Sequence, residues 1–563
     1  MLAFQLDRRP FQVFLAALFL AGIGPNHLLA DGKDSGHPPP KPVPAKVDSP
    51  TPLTGRERWT LERMEQLEKR VAELESKSNP AAAKPEQATA PEAAPASVTN
   101  AAELGSNVVS SEAAVPAMKS REQGNAAKPE KAAPFAFADF AWLTGNARTK
   151  ESPMDTKFFT PEIRADIDYI YDFNHPKDNT ISGSSEVFRA NEVQVTRLGV
   201  GGDFHYDNVR ARLMTQFGLY SQTTPRNDAS PARGQWNLDK AYRYLSEAYG
   251  GYHFNALHGI NVDAGIFMSY IGLFIYYQFD NWTYQSSYVS SNTPWFFNGV
   301  RIQIFPTEHL KIEPWFTNGW QSYGRFNSRP GLGFQILWRP NGWLSVLGNQ
   351  YALGEDALNT PGRVRYHTDD SIQIQYYDKP EKFLDKAAFT LTGDMGCEHG
   401  GGVNCTGNSA KGPKQSFLGY MVYNRLWFDR DRYGLTIGGG QINNPGRYLV
   451  LLPPINGATA ASGTPYFTEN PGDPYKAWDV SGTFDWMPSQ YITFRWEYNH
   501  RAANVPYFSG SGGVTPPGGN NGAPGAFVCL SGFTTCNGSP TNTWLPDLRK
   551  SENRLNMAIL VKF

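Results

Sequence analysis

From about residue 134 onward, apolar and polar side chains alternate with a period of two, so that each segment carries one apolar and one charged or polar face. In 162–173, Ile163, Ala165, Ile167, Tyr169, Tyr171 and Phe173 share one face. Glu162, Arg164, Asp166, Asp168 and Asp172 share the other, with Ile170 as the exception. Successive side chains of a strand point to opposite sides, so this is the signature of strands in a two-faced environment. The pattern recurs in 209–219, with Arg210 and Arg212 on the polar face, and in 298–305 and 310–318, with Arg301, Lys311 and Glu313 there. It is clearest in 478–486 and 492–499, where Arg495 and Glu497 stand opposite Ile492, Phe494, Trp496 and Tyr498. A packed soluble core does not solvate charge repeated on its inward face, whereas a barrel with lipid outside and water inside does. Arg164, Asp166, Asp168, Arg210, Arg212, Arg301, Lys311, Glu313, Arg495 and Glu497 are therefore expected to line a lumen. Both signs are present, which predicts weak ion selectivity. Asn424 interrupts an apolar face, and the pattern is irregular near Val193 and Leu245, where bulges are expected.

About sixteen such strands can be placed, and their connections sort by length. Short turns fall at 205–208, 255–259, 306–309, 340–342, 378–382, 429–432 and 488–490. Long loops fall at 174–186, 221–238, 271–296, 320–330, 354–367, 395–415, 443–475 and 501–551. Such alternation belongs to bacterial outer-membrane barrels, with short turns on the periplasmic side. The expected fold is all-β: a transmembrane antiparallel β-barrel of about sixteen strands, preceded by a short periplasmic coiled-coil helix. The third long loop is rich in aromatic residues, and Tyr276, Tyr277, Asp280, Trp282, Tyr284 and Tyr288 are candidates for a constriction inside the lumen. The alternative is that they pack on neighbouring loops or at a subunit interface.

Residues 1–30 read as a secretory signal, with Arg8 and Arg9 ahead of an apolar run and Ala30 near the cleavage point. A Pro-rich segment spans 31–55. Between 56 and 78, Met64, Leu67, Val71 and Leu74 are spaced as in a short coiled coil, with an isolated solvated helix as the alternative. Residues 79–133, rich in Ala, Pro and Glu, are expected to be a disordered periplasmic linker to a barrel over 134–563. After residue 30 no apolar stretch is long enough for a membrane helix.

Lys+Arg 52 against Asp+Glu 53 gives a net charge of -1, so nothing in the charge balance points to nucleic acid. Cys397, Glu398, His399 and Cys405 invite a metal reading, but the spacing matches no common zinc motif. Two local disulfides, Cys397 with Cys405 and Cys529 with Cys536, suit exported loops better. No haem, zinc-helix or nucleophile-elbow motif is present. The expectation is a protein with no metal, no cofactor and no enzymatic activity, although a nucleophile and base scattered over strand ends remain open. The chain ends on a strand in which Leu555, Met557, Ile559, Val561 and Phe563 alternate with polar or small positions. A terminal aromatic of this kind resembles the signal read by the barrel-assembly machinery.

From about Phe135, several segments carry a family likeness: 139–146 (Asp-Phe-Ala-Trp-Leu-Thr-Gly-Asn), 246–249, 264–267 with Ile271 and Gly272, Ser287 with Tyr288, 299–301 and 318–320. In their order and strand layout they resemble the putative β-barrel porin-2, OmpL-like family. The resemblance implies a channel in the bacterial outer membrane for small hydrophilic solutes, with its solute unassigned. Many relatives place an acidic residue after the Ile-Gly pair, where this chain has Leu273 and Phe274, so no pore charge carries over there. A homo-oligomer, such as a trimer, embedded in outer-membrane lipid is expected. The competing functions are a structural envelope anchor and a sheath barrel for an electron-transfer partner.

Overall fold

A computed structural model describes residue 69 and residues 133–563, apart from loop stretches of which the longest are 229–237, 355–361, 445–474, 512–534 and 541–547. The signal, the Pro-rich segment, the linker up to residue 132, Cys529 and all of the 56–78 segment except Lys69 lie outside the described residues, and of Cys536 only the backbone is described. Lys69 is helical.

Sixteen strands close into one antiparallel barrel: β1 (Phe159–Asp172), β2 (Val193–Tyr206), β3 (Val209–Thr215), β4 (Leu245–Phe254), β5 (Ile260–Met268), β6 (Phe296–Thr307), β7 (Leu310–Thr317), β8 (Gly331–Asn341), β9 (Leu344–Ala352), β10 (Val364–Asp378), β11 (Leu384–His399), β12 (Ser416–Phe428), β13 (Tyr433–Asn443), β14 (Lys476–Ser489), β15 (Ile492–Ala503) and β16 (Ser551–Lys562). Each strand pairs with the next, and β16 returns to β1, so no edge is left unpaired. Phe563 forms the last rung. Its N–H donates to Ile163 O at 2.9 Å, and its carbonyl accepts from Ile163 N at 3.2 Å.

The alternation read from the sequence is the alternation of the wall. Val200, Leu213, Val300, Phe316, Ile336, Ile437, Val480 and Ile559 are exposed on the outer face, and the charged positions are buried inside. Paired aromatics ring the short-turn end, among them Phe159 with Phe204, Trp486 with Phe494 and Tyr491 with Phe563, as expected where the wall meets the lipid headgroups. Ile170 points inward with the charged parity of β1. The two irregular regions hold bulges: Thr196 is skipped between β1 and β2, and Ser246 between β3 and β4. Asn424 faces outward and donates to the Tyr376 hydroxyl at 2.9 Å, which satisfies a polar group on the apolar side.

Several expected boundaries need correction: residues 216–219 lie beyond the end of β3 at Thr215, and 501–503 belong to β15 rather than to a loop. Residues 364–367 and 395–399 are strand rather than loop, because β10 and β11 stay in register up to Val364↔His399. Glycines 393 and 396 erode the polar contrast there, so periodicity underestimates the strand. The loop beyond is closed by the Cys397–Cys405 disulfide. Glu398 is turned away from that sulfur pair to Arg365 at 2.5 Å and Gln415 at 2.5 Å.

Candidate functional site in the barrel lumen

The third long loop, residues 269–295, does not project outward. It leaves β5, crosses the lumen to the wall of β12–β16 and β1, and returns to β6. Tyr276, Tyr277, Asp280, Trp282, Tyr284 and Tyr288 are all buried. An irregular segment inside a barrel must find partners for its own N–H and C=O groups, and here the charged wall supplies them. Arg495 donates to three loop carbonyls, Gln278 O at 3.0 Å, Thr283 O at 2.9 Å and Asn281 O at 2.7 Å. Glu497 accepts from the N–H groups of Tyr284 and Gln285 at 2.6 and 2.7 Å. Asp479 takes the Ser287 hydroxyl and the Tyr288 N–H at 2.8 and 3.0 Å, and Arg425 donates to Trp282 O at 3.1 Å.

Loop side chains complete the crossing. Asp280 pairs with Arg164 at 2.6 Å and Lys562 at 3.3 Å. Burial alone would raise its carboxyl, but these two cations outweigh it and hold it below the usual carboxylate range. The Tyr277 hydroxyl donates to Glu247 at 2.5 Å while its ring receives the guanidinium groups of Arg164 and Arg197 at 4.1 and 4.0 Å. The Tyr284 hydroxyl donates to Asp166 at 3.0 Å. Burial pushes both phenols up, which keeps them protonated donors.

All ten lumen candidates from the sequence point inward and are at most 8 % exposed. They form several groups rather than one site. Arg164, Asp166, Arg495 and Glu497 hold the loop. Arg212 is shared by Glu162, Asp203 and Glu247 at 2.9, 2.7 and 3.0 Å. Arg210 and Arg301 flank Asp263 at 3.3 and 2.9 Å, Lys311 pairs with Glu313 at 2.9 Å, and Asp168 accepts from Thr196. The wall charges are thus largely spent on one another and on the loop.

Sequence reasoning missed a second element. Residues 135–148 are not part of the wall but form a strap across the short-turn mouth. Phe135 N donates to Glu308 O at 2.8 Å, in the β6–β7 turn, and Trp142 Nε1 to Gly342 O at 2.9 Å, in the β8–β9 turn. Asp139 Oδ1 accepts from Ala141 N at 2.8 Å, just ahead of the 3-10 turn Ala141–Leu143. On the far side, Asn146 Nδ2 reaches Thr493 Oγ1 at 3.2 Å and Arg148 Nη1 reaches Met487 O at 2.6 Å. Phe140, Trp142 and Leu143 join Leu273, Phe274 and Trp282 of the loop and Leu337, Leu347, Tyr423 and Trp427 of the wall in one apolar cluster. Burying each large side chain is worth roughly 1.5–3 kcal/mol, so the strap is firmly held. It touches the loop at Gly145, whose N–H donates to Asp280 O at 2.9 Å and whose carbonyl accepts from Arg425 at 2.7 Å. A Cβ there would lie 2.4 Å from both Phe279 O and Asn281 O, so only glycine fits. The available signal was the aromatic run from Phe135 to Trp142, which lacks a polar alternate face. Asp479 and Asp485 fall on the polar face of 478–486 in the sequence without being counted among the lumen candidates, whereas Arg425 and Asp263 are not singled out there; all four sit on the inward parity of their strands.

No curated protein matches this sequence. Among solved structures the chain is similar to OmpT of Vibrio cholerae in its trimer form, at 9% identity over 73% of this chain and 100% of that one, with a TM-score of 0.41. It is also similar to the outer membrane channel DcaP of Acinetobacter baumannii, at 12% identity over 72% and 96% with a TM-score of 0.39. An anion-selective porin from Comamonas acidovorans aligns at 9% identity over 72% and 99%, with a TM-score of 0.38. The family model described as "putative beta-barrel porin-2, OmpL-like" matches residues 164–523, which run from β1 past β15. With that match covering most of the barrel, the chain belongs to this family of outer-membrane porins.

Proposed function

We propose that the protein is a passive channel for small hydrophilic solutes whose bore is set by the loop at 269–295 and by the strap at 135–148. The observation that carries this reading is the crossing itself, in which the loop spans the lumen from β5 and β6 to Arg495, Glu497 and Asp479 on the opposite wall. Tyr276, Tyr277, Asp280, Trp282, Tyr284 and Tyr288 are the constriction residues in this reading. The paired charges of the wall act first as scaffold for the loop and only through it on ion selectivity. Residues 1–30 serve as export signal, and 56–78 and 79–133 as periplasmic coil and tether. Phe563 is the contact for the assembly machinery, and the barrel works as a homo-oligomer, taken to be a trimer, in outer-membrane lipid.

Single-channel recording in planar bilayers tests the reading. Shortening the loop between Tyr277 and Tyr288 raises unit conductance if the loop narrows the pore. A shortened barrel that assembles normally and conducts as the parent does would reject the constriction and favour a packing role for the loop.

A further inference from the structure

Arg339 stands near the short-turn end of β8, on the inward face, 0 % exposed. A guanidinium is permanently charged and offers five N–H donors. Among the described residues, no hydrogen-bond acceptor meets its Nε, Nη1 or Nη2, and no ion pair reaches it. What lies against it is aromatic, with its Cζ 5.0 Å from the ring centroid of Phe135 and 4.6 Å from that of Phe140, both on the strap. Cation–π contact is weaker than the penalty for taking a guanidinium out of water, and it leaves every donor unspent.

The neighbourhood supplies no counter-charge. Arg339 N pairs with His309 O at 2.9 Å, which places Lys311 as the diagonal inward neighbour on β7, and Lys311 is engaged by Glu313. Trp338 faces Val346 and Asn341 faces Leu344 in the ladder, so the register slips by one residue and Ser345 stands opposite the Arg339–Pro340 pair. Ser345 is 1 % exposed, and its hydroxyl also has no partner among the described residues. Asp263 is already shared by Arg210 and Arg301. Arg210, Arg301 and Lys311 are thus met by Asp203, Asp263 and Glu313, which leaves Arg339 with no carboxylate partner among the described residues.

We propose that Arg339 and Ser345 form a binding site for a small oxyanion, a carboxylate or phosphate group, at the periplasmic mouth beneath the strap. The planar fork of the guanidinium matches two oxygens of one such group, and the Ser345 hydroxyl adds a donor. A spherical halide engages that fork less completely. This inference deepens the channel reading and rests on it for the route by which the anion arrives.

Calorimetric titration of the full-length protein in detergent micelles with sodium acetate and, separately, sodium phosphate at matched ionic strength tests the site. The wild type is expected to show saturable binding of at least one, and the comparison distinguishes carboxylate from phosphate. Arg339→Gln should weaken binding at least tenfold, and Arg339→Lys should fall between, because it keeps the charge without the fork. Ser345→Ala should weaken binding severalfold and provides the test if Arg339→Gln fails to assemble. Absence of wild-type binding to both probes overturns the proposal, as does undiminished binding in an assembled Arg339→Gln barrel or, where that variant does not assemble, in Ser345→Ala. Parallel bilayer recordings keep the two readings apart. A non-conducting wild type that still binds removes the channel and leaves the site, and a conducting wild type that binds neither probe removes the site alone.

Discussion

Replacing Arg495 by Met tests the idea that wall charges exist to hold the loop. Met keeps much of the unbranched stem and removes all five donors. The loop carbonyls of Asn281 and Thr283 lose their partner at once, and that of Gln278 keeps only the Asn281 N–H at 3.2 Å. Asp485 loses bonds of 2.7 and 3.0 Å but retains Arg425 at 2.8 Å, so its charge is not stranded. A hydrogen bond from a charged donor contributes about 1.5–3 kcal/mol net, and breaking a buried charged cluster by removing one partner costs about 3–5 kcal/mol. Taking about 3 kcal/mol for the loop alone, the population detached from the wall rises more than about 100-fold. Ser286, buried within the loop, reports this when changed to Cys. Its reaction with a small thiol reagent should accelerate by about the same factor in the Arg495→Met background. Unit conductance should rise in parallel, with added substates. A barrel that remains resistant to detergent until boiled, yet labels and conducts as the parent does, would refute the scaffold role.

Four further outcomes are expected. Gly145→Ala forces its Cβ into two loop carbonyls at 2.4 Å, so the strap should lift from the loop and raise conductance without loss of barrel heat-resistance; unchanged currents would contradict this. Asp280→Asn frees Arg164 and Lys562 from their shared carboxylate, so the reversal potential in a salt gradient should shift toward anions. Because the Asp280 carboxyl is held low in the folded protein, its pair contributes fully above the ordinary carboxylate pKa of about 4 and is lost only as pH falls through the depressed value; a selectivity shift already complete at pH 6 would argue against it. Deleting Phe563 removes the last β1–β16 rung and should cut the yield of heat-resistant barrel in the outer membrane far more than deleting 62–77, a comparison that normal yield would sink. Reducing Cys397–Cys405, which closes eight residues of chain, should cost about 2.5 kcal/mol at most, confined to that loop; global unfolding at a markedly lower temperature would count against a local role.

The barrel was legible because each strand solves a local problem, lipid on one side and polar contacts on the other, and that problem repeats every two residues. Arg495 and Glu497 could be assigned to the inner face from their neighbours Phe494, Trp496 and Tyr498 alone. Their partners could not. The carbonyls that Arg495 holds are more than 200 residues away in sequence, and they become neighbours only once the ring closes. A charge destined for a loop backbone has the same signature as one destined for water. Strand β12 shows where parity itself weakens, since Phe417, Met421, Tyr423 and Trp427 face inward against the loop and strap while Asn424 faces outward. Its inner face is as apolar as its outer one, and periodicity has nothing to contrast.

The strap was hidden for a related reason. Phe135, Phe137, Phe140 and Trp142 have no alternating polar face because they do not lie between lipid and water; they fill the interior of a mouth. That placement changes how the lumen charges should be understood. An open pore with solvated wall charges would let each one tune selectivity by itself. Here Asp280 is neutralised by Arg164 and Lys562, Glu497 is spent on two backbone N–H groups, and Arg425 ties the strap at Gly145 to the loop at Trp282 and to Asp485. Strap, loop and wall therefore share anchors, and an event that displaces one loosens the others. Arg339 is the exception that makes the arrangement informative, because among these buried cations it meets the strap through aromatic faces with its donors still unmet. An anion that engaged those donors would be held within the same contact that keeps Phe135 and Phe140 in the mouth, so solute capture and the width of the periplasmic exit would be coupled through one side chain.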